Sequence, residues 1–369
     1  MERNRTFTIL SCFGILLVVL GHLNWGILEF GGLFPYYSYH VCIFVFIAGY
    51  FYKPEDECKI VAYLRKKCMR LLVPYLIGNA VIGVLILILH KIGIIFGREL
   101  TLNNLLVAPF CDGHQFMLNA PGWFIPALFL FETVNICGRR LLRYVKINNE
   151  YILMLLYLFA GIASVILSQQ GFIYDWYRVP GRIMFMAPVF QAGRLYHAEL
   201  ERFDKGKGIW NNIGYFGVIL ILNLILCKTQ GGLAFSAAWV NGFSNNPLIP
   251  YVTTATGIAL WLRVSKLIAG VIGKSEKIWK LFDYVGRHTF EICMYHLCGC
   301  FVVNTIIKVV SQYSGMFSGF DDSLYRGDAY YAYVPEGMEV FKMIYLLMAF
   351  LLPLVLCRFK ERVLRITVR

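Results

Sequence analysis

Apolar runs of about twenty residues recur along the whole chain, and they constrain its fold more than any other feature. An α-helix of this length matches the ~30 Å hydrocarbon core of a bilayer. No water is available inside that core to hydrogen-bond the backbone, and a helix satisfies its N–H and C=O groups internally. Only 15% of the residues are charged and 58% are hydrophobic, whereas soluble domains carry about a quarter charged residues. The sequence therefore predicts an all-α, polytopic membrane protein.

We predict about ten transmembrane helices in a single membrane domain covering residues 1–369. No polar stretch between the apolar runs is long enough to form a separate soluble domain. The predicted spans are 7–29, 34–52, 71–95, 121–138, 151–169, 179–196, 209–227, 247–270, 281–310 and 339–357. The 11 cysteines lie mostly within these spans and lack the spacing of a disulfide framework, so reduced, buried thiols are expected.

Basic residues alternate between the two sides of the predicted bundle. They cluster at both termini and in every second connection, which is the positive-inside pattern and predicts that both termini are cytoplasmic. The net charge of +13 therefore reflects topology rather than nucleic-acid binding. The clustered residues are Arg3, Arg5, Lys53, Lys59, Arg65, Lys66, Lys67, Arg70, Arg139, Arg140, Arg143, Lys146, Arg194, Arg202, Lys205, Lys207, Arg263, Lys266, Lys274, Lys277, Lys280, Arg358, Lys360, Arg362, Arg365 and Arg369.

Three histidines fall inside predicted spans at a similar depth. At 1.5 Å per residue, His22 and His296 lie roughly 22 Å from the cytoplasmic end of their spans, and His40 lies roughly 9 Å below the outer end of its span. A single histidine in a span is commonly explained by a hydrogen bond to a neighbouring helix. Three at one level favour a polar site facing the bundle interior, where an imidazole can transfer protons near neutral pH.

Other features of this region leave alternatives open. Cys293, His296 and Cys300 share one helix face, but this is also ordinary core spacing, and we expect no metal there. Glu291 either pairs with Arg287 one turn away or orients an imidazole. The outer connection 311–338 is rich in aromatic and acidic residues, which suits an interfacial aromatic belt and folded lid as well as a sugar ligand.

Five segments, taken in order, resemble the membrane acyltransferases of the acyltransferase-3 family. The segments are FGILLVVLGH (13–22), YSYHVCIFVFIAGYFY (37–52), YLRKKCMRLLVPY (63–75), PGWFIPALF (121–129) and VGRHTFEICMYH (285–296). The resemblance covers most of the chain. It implies an O-acyltransferase similar to O-acetyltransferases. Such an enzyme moves an acyl group from acetyl-CoA or another acyl-CoA to a hydroxyl group of an acceptor outside the cytoplasm.

The resemblance also implies catalytic roles for the three histidines within the predicted spans and for Glu291. His22 would act as general base on the acceptor hydroxyl, with a covalent acyl-histidine as the alternative. His40 and His296 would position substrate or share the proton, and Glu291 would support them.

On the cytoplasmic side, Lys66, Lys67 and Arg70 would contact the CoA phosphates, although positive-inside topology alone also explains these cations. The family's Arg-x-x-Arg appears here as Lys67-Cys68-Met69-Arg70. Ser11 stands where the family commonly has an arginine, eleven residues before His22 and on the same helix face, and it is a further candidate for binding the acyl-CoA donor.

The implied partners are acyl-CoA, a glycan or lipid-linked sugar acceptor and membrane lipids, without nucleic acid, and a homo-oligomer is compatible with the sequence. The implied location is the inner membrane of a bacterium, and the implied process is polysaccharide modification.

Two other functions stay open. Polar residues inside spans also suit a transporter or export component for a polysaccharide or lipid-linked intermediate, and the serine at position 11 is also compatible with a non-catalytic family member.

Overall fold

The computed structural model describes residues 4–204, 208–243, 246–272 and 275–367. Of the basic residues counted for topology, those outside this description are Arg3, Lys205, Lys207, Lys274, Arg369 and the side chain of Arg365.

Helices dominate the described chain, and no β-strand occurs within those ranges. The α-helices are α1 Arg5–His22, α2 His40–Tyr50, α3 Ile60–Lys67, α4 Val73–Lys91, α5 Leu102–Leu106, α6 Ala108–Cys111, α7 Phe124–Tyr144, α8 Glu150–Gln169, α9 Arg178–Leu195, α10 Ile209–Gln230, α11 Ile249–Ile272, α12 Glu276–Arg287, α13 Thr289–Ser314, α14 Asp322–Gly327 and α15 Lys342–Thr367. Single 3₁₀ segments are Tyr36–Ser38, Pro54–Cys58, Met117–Trp123, Asp175–Tyr177 and Glu339–Phe341, and π-helical turns are Cys68–Leu72 and Tyr196–Leu200.

Eight helical segments of the described chain are long and apolar enough to cross a membrane, which confirms the all-α, polytopic membrane fold. They are Arg5–His22, Ile60–Lys91, Met117–Tyr144, Glu150–Gln169, Ile209–Gln230, Ile249–Ile272, Thr289–Ser314 and Glu339–Arg362.

Two of the ten predicted spans, 34–52 and 179–196, do not meet this test of length and apolarity. The helix in the first, α2, has 11 residues, which is about 16 Å and shorter than the hydrocarbon core. The helix in the second, α9, has 18 residues but carries three arginines and an internal proline, Pro188. Both segments are helical, as predicted, but helix length and apolarity alone do not make them spans.

Two predicted spans end or break where the backbone leaves helical geometry. The first was expected to reach residue 29, but α1 ends at His22. The ninth was expected to be one helix over 281–310, but His288, with φ −109° and ψ 19°, separates α12 from α13. The depth of His296 was counted along one continuous helix from residue 281, and that count does not apply because α13 begins at Thr289.

The chain forms two compact units. Unit 1 contains the described parts of Met1–Leu17, Gly26–Leu72 and Phe124–Gly286, and unit 2 contains Val18–Trp25, Val73–Trp123 and the described part of Arg287–Arg369. Each unit is made of segments that are distant in the sequence.

Within unit 1, α2 and α9 cross with their backbones in contact. A Cβ added at Gly49 would lie 1.9 Å from the carbonyl oxygen of Phe190, and one added at Gly193 would lie 2.0 Å from that of Phe46. No side chain fits at either point, so glycine on both helices permits the crossing, as in other membrane helix pairs.

Within unit 2, α13 packs along α15, and a Cβ at Gly299 would lie 2.4 Å from the carbonyl oxygen of Met348. A buried apolar cluster joins α4 and the segment after it to α13 and the chain near Tyr325. This packing fixes α13, which carries His296, inside unit 2.

Candidate active site

His22 is the last residue of α1, and its imidazole ring is oriented by a hydrogen bond to the backbone of the same helix. The Nδ1 atom lies 2.7 Å from the carbonyl oxygen of Val18, one turn earlier. The chain then turns at Asn24, whose φ of 47° is the left-handed conformation that commonly ends helices and that asparagine tolerates. The ring is half-buried, so it is oriented by its own helix and still partly accessible.

His296 lies beside His22 within unit 2. Its side chain is fully buried, and its Nδ1 is 2.8 Å from the carbonyl oxygen of Ile292. Its Nε2 lies 3.3 Å from His22 Nδ1, and the two ring centroids are 5.1 Å apart at an interplanar angle of 46°. Two of the three histidines singled out in the sequence are therefore neighbours.

These contacts assign the protons of the neutral pair. A carbonyl oxygen only accepts, so the proton on His296 lies on Nδ1, and its Nε2 carries a lone pair. His22 Nδ1 faces two acceptors, the Val18 carbonyl and His296 Nε2, so its proton also lies on Nδ1. The basic lone pair of His22 is then on Nε2. If His22 takes a proton there, His296 Nε2 accepts a stronger, charge-assisted hydrogen bond from the imidazolium.

Tyr330, from the connection between α14 and α15, stacks on the His22 ring. The centroids are 5.6 Å apart and the planes differ by 9°. Asn304 of α13 fixes the segment next to Tyr330 by hydrogen bonds. Its side chain is 4% exposed, donates to the carbonyl oxygen of Tyr331 at 2.6 Å and accepts from the Tyr345 hydroxyl at 2.6 Å. Asn304 was missed in the sequence, and its only signal was a polar residue in an apolar span.

His40 belongs to unit 1 and begins α2. It is 5% exposed, its Nδ1 contacts the carbonyl oxygen of Tyr36, and its ring meets that of Tyr37 edge-on at 5.3 Å. These contacts are those of a histidine held by its own chain. A role for His40 beside the His22–His296 pair stays a prediction.

Glu291 lies in the first turn of α13 rather than deep in a span. Its carboxylate Oε2 is 3.5 Å from Nδ1 of His288, the residue that precedes the helix. Arg287, the partner expected one turn below it, ends the preceding helix instead. The imidazole beside Glu291 is therefore that of His288.

The predicted donor-binding cations of unit 1 differ in their surroundings. Lys67 forms an ion pair with Glu132, a carboxylate on α7 that is 1% exposed. Lys66 and Arg70 are exposed. Arg70 sits in the π-helical turn Cys68–Leu72, and such turns inside helices are frequent at functional sites.

Ser11 forms a hydrogen bond within its own helix, and its part in binding the donor stays a prediction. Its hydroxyl donates to the carbonyl oxygen of Phe7 at 2.8 Å, one turn back on α1. This back-bonding uses the hydroxyl proton within the helix.

A buried network around Arg139 in unit 1 was missed in the sequence, where this residue counted only as a loop cation. Its guanidinium is 4% exposed and donates to Glu57 Oε1 at 3.1 Å, Gln191 Oε1 at 2.9 Å and Glu150 Oε1 at 3.1 Å. Arg194 also donates to Glu150, at 3.1 Å. Part of this network lines a polar cavity of about 220 Å³.

A family model described as an acyltransferase domain, that of the acyltransferase-3 family, matches residues 7–358. The chain belongs to the acyltransferase-3 family. It is therefore a multi-pass membrane acyltransferase, and the resemblance drawn from the five segments is confirmed. No curated protein and no solved structure matches the chain.

In this acyltransferase-3 protein the segment that contains Pro121 and Gly122 packs against α13 within unit 2. The thiol of Cys293 donates to the carbonyl oxygen of Pro121 at 3.5 Å. A Cβ on Gly122 would lie 2.3 Å from Asn119 Oδ1 and 3.0 Å from the sulfur of Met294. The absence of a side chain at Gly122 therefore leaves room for both neighbours where this segment packs on α13, within one turn of His296.

Proposed function

We propose that the protein is an inner-membrane O-acyltransferase of a bacterium. It moves an acyl group, acetyl in the simplest case, from cytoplasmic acyl-CoA to a hydroxyl of an extracytoplasmic carbohydrate or related acceptor. The observation that carries the proposal is the His22–His296 pair, in which one buried imidazole orients another that is partly accessible.

The proposed step is direct transfer with His22 as general base. His22 Nε2 takes the acceptor hydroxyl proton as the oxygen attacks the thioester carbonyl carbon. The tetrahedral intermediate then collapses, the C–S bond breaks, and the CoA thiolate leaves with the proton that His22 returns. The products are an ester and free CoA. His296 stabilises the His22 imidazolium between these events, a contribution of the kind that an orienting group makes in hydrolytic triads.

The aromatic surface beside His22 supports a carbohydrate acceptor. The flat face of an aromatic ring packs against the C–H groups of a sugar ring, while hydroxyls bond to neighbouring polar groups. Tyr330 presents such a ring next to His22. We infer that it helps to position the acceptor.

Exposed cations near the start of α4 support an acyl-CoA donor. Lys66 and Arg70 are exposed on the predicted cytoplasmic side and are available for charge-assisted hydrogen bonds to CoA phosphates. The charge of Lys67 is already compensated by Glu132. Among the three predicted cations, we therefore assign the phosphate contacts to Lys66 and Arg70.

The function is tested by mass spectrometry of surface glycans from cells with the wild-type protein, with His22→Ala and without the protein. We expect an ester mass difference on one glycan only with the wild type, and its mass identifies the acyl group. Identical glycan masses in all three samples would contradict the proposed acceptor class.

A further inference from the structure

Side chains with metal-binding atoms converge where the first turn of α13 meets the second half of α15. His288, Glu291 and Cys357 each offer one ligand atom, and these atoms all lie within 4.8 Å of one another. All three residues belong to unit 2, and none of them belongs to the metal alternative considered from the sequence, which was Cys293, His296 and Cys300. The break at His288, unexpected from the sequence, is what brings an imidazole to this position.

The separations are close to those of a tetrahedral site. Zn²⁺ binds N, O and S at about 2.0–2.3 Å, so neighbouring ligand atoms in a tetrahedron are about 3.3–3.8 Å apart. His288 Nδ1 and Glu291 Oε2 are 3.5 Å apart. The distances from the Cys357 sulfur to the other two ligand atoms are at most 4.8 Å, so small side-chain movements would bring all three atoms to tetrahedral spacing.

Cys357 gives the site its chemical selectivity. Its side chain is 6% exposed, and its sulfur lies beside an imidazole nitrogen and a carboxylate oxygen. A set of thiolate, imidazole and carboxylate favours Zn²⁺ over Mg²⁺ or Ca²⁺, which prefer oxygen ligands. Once Cys357 gives up its thiol proton to a bound metal, its thiolate and the Glu291 carboxylate together supply two negative charges that a divalent cation balances.

Glu361 supplies an outer contact of the kind that metal-bound histidines have. It lies one turn after Cys357 on α15, and its Oε1 is 3.5 Å from His288 Nε2, the nitrogen opposite the one that faces Glu291. In known metal sites a carboxylate on the second ring nitrogen fixes the tautomer and strengthens the ligand.

We propose that His288 Nδ1, Glu291 and Cys357 bind one Zn²⁺ ion, with Glu361 orienting His288. Binding replaces the thiol proton of Cys357, so Zn²⁺ enters as one proton leaves to solvent. Three protein ligands leave a fourth position for water. The ion would link the first turn of α13, the helix that carries His296, to the second half of α15.

Metal content tests the proposal without any measurement of acyl transfer, so its outcome is independent of the proposed function. The full-length protein is purified in detergent after expression with added zinc, and zinc per chain is measured by plasma mass spectrometry. We expect one zinc ion per wild-type chain and background zinc in Cys357→Ser and Glu291→Gln. Glu361→Gln should still bind zinc at saturation but with an affinity about 10–100-fold weaker.

Cys137→Ser is the matched control, because Cys137 is an exposed thiol on α7 far along the sequence from the site; it should retain zinc. Substitution by Co²⁺ adds a spectroscopic readout, since thiolate ligation gives a charge-transfer band that Cys357→Ser must lack. Gel filtration and thermal unfolding establish that each variant is folded. Background zinc in the folded wild type, or equal zinc in the wild type and Cys357→Ser, would overturn the proposal.

Discussion

Replacing His296 by leucine removes the acceptor that faces His22 while keeping a buried side chain of similar size. The lost contact is the 3.3 Å approach of His296 Nε2 to His22 Nδ1. A hydrogen bond to a charged group contributes about 1.5–3 kcal/mol, and each 1.4 kcal/mol changes a rate about tenfold. We therefore expect His296→Leu to lower kcat by about 10- to 150-fold.

The loss should appear in kcat with little change in the acceptor KM, because the contact strengthens only when His22 becomes an imidazolium. The assay measures release of the CoA thiol by purified protein at saturating acyl-CoA and varied acceptor. His296→Gln, whose amide oxygen can accept from His22 Nδ1, should recover part of the loss. His197→Leu, a half-exposed histidine of unit 1, is the control and should keep wild-type kcat.

Two results would refute this reasoning. One is a folded His296→Leu protein with kcat within twofold of the wild type. The other is a His296→Gln protein no more active than His296→Leu, because the role would then not be that of a hydrogen-bond acceptor.

Three further changes test the packing and electrostatics of unit 1. Gly49→Ala would place a Cβ 1.9 Å from a backbone oxygen of α9 and should destabilise by about 1–3 kcal/mol in thermal unfolding, whereas Gly138→Ala, with nothing within 4 Å, should not. Lys67→Met leaves the buried carboxylate of Glu132 uncompensated and should cost about 3–5 kcal/mol in denaturant unfolding; adding Glu132→Met should restore most of it. Burial raises the pKa of Asp204, but hydrogen bonds and nearby cations outweigh it and hold that pKa below its usual value. Its stabilisation is therefore present above about pH 4 and is lost as the pH falls further, so Asp204→Asn should flatten the acid side of the stability profile.

The membrane fold could be predicted because apolar length determines where a helix can cross a bilayer. The exceptions are α2, which is too short, and α9, whose arginines make it look poorly suited to a membrane. Within unit 1, Arg182 donates to the carbonyl oxygen of Ala238 at 2.9 Å, and Arg178 lies over the Trp239 ring at 4.5 Å. These partners come from a connection more than fifty residues away in the sequence, so no local pattern could indicate them.

The proximity of His22 and His296 was anticipated, but part of the reasoning behind it was wrong. The depth of His296 was counted through a helix that breaks at His288. A single residue with non-helical backbone angles leaves no clear mark in an apolar pattern. The structure places Glu291 beside His288, and its support of the catalytic imidazoles stays a prediction.

The buried ion pairs were missed although a signal was present. Glu132 lies in the middle of an apolar run, and an ionisable residue in that position commonly marks a site or a buried partner. Arg139 was assigned to a loop because it follows the run, yet it is 4% exposed and contacts three side chains. Counting cations for topology conceals those that are buried.

The most direct test of catalysis by the histidine pair is a single-turnover experiment with purified His22→Ala. The protein is mixed with labelled acyl-CoA and a sugar acceptor, and the labelled ester is measured over time beside the wild type. Thermal unfolding and acyl-CoA binding of the variant serve as controls. We expect both controls to match the wild type and the rate of ester formation to fall by about 10²–10⁴-fold. Ester formation at the wild-type rate would contradict the assignment of His22 as the general base.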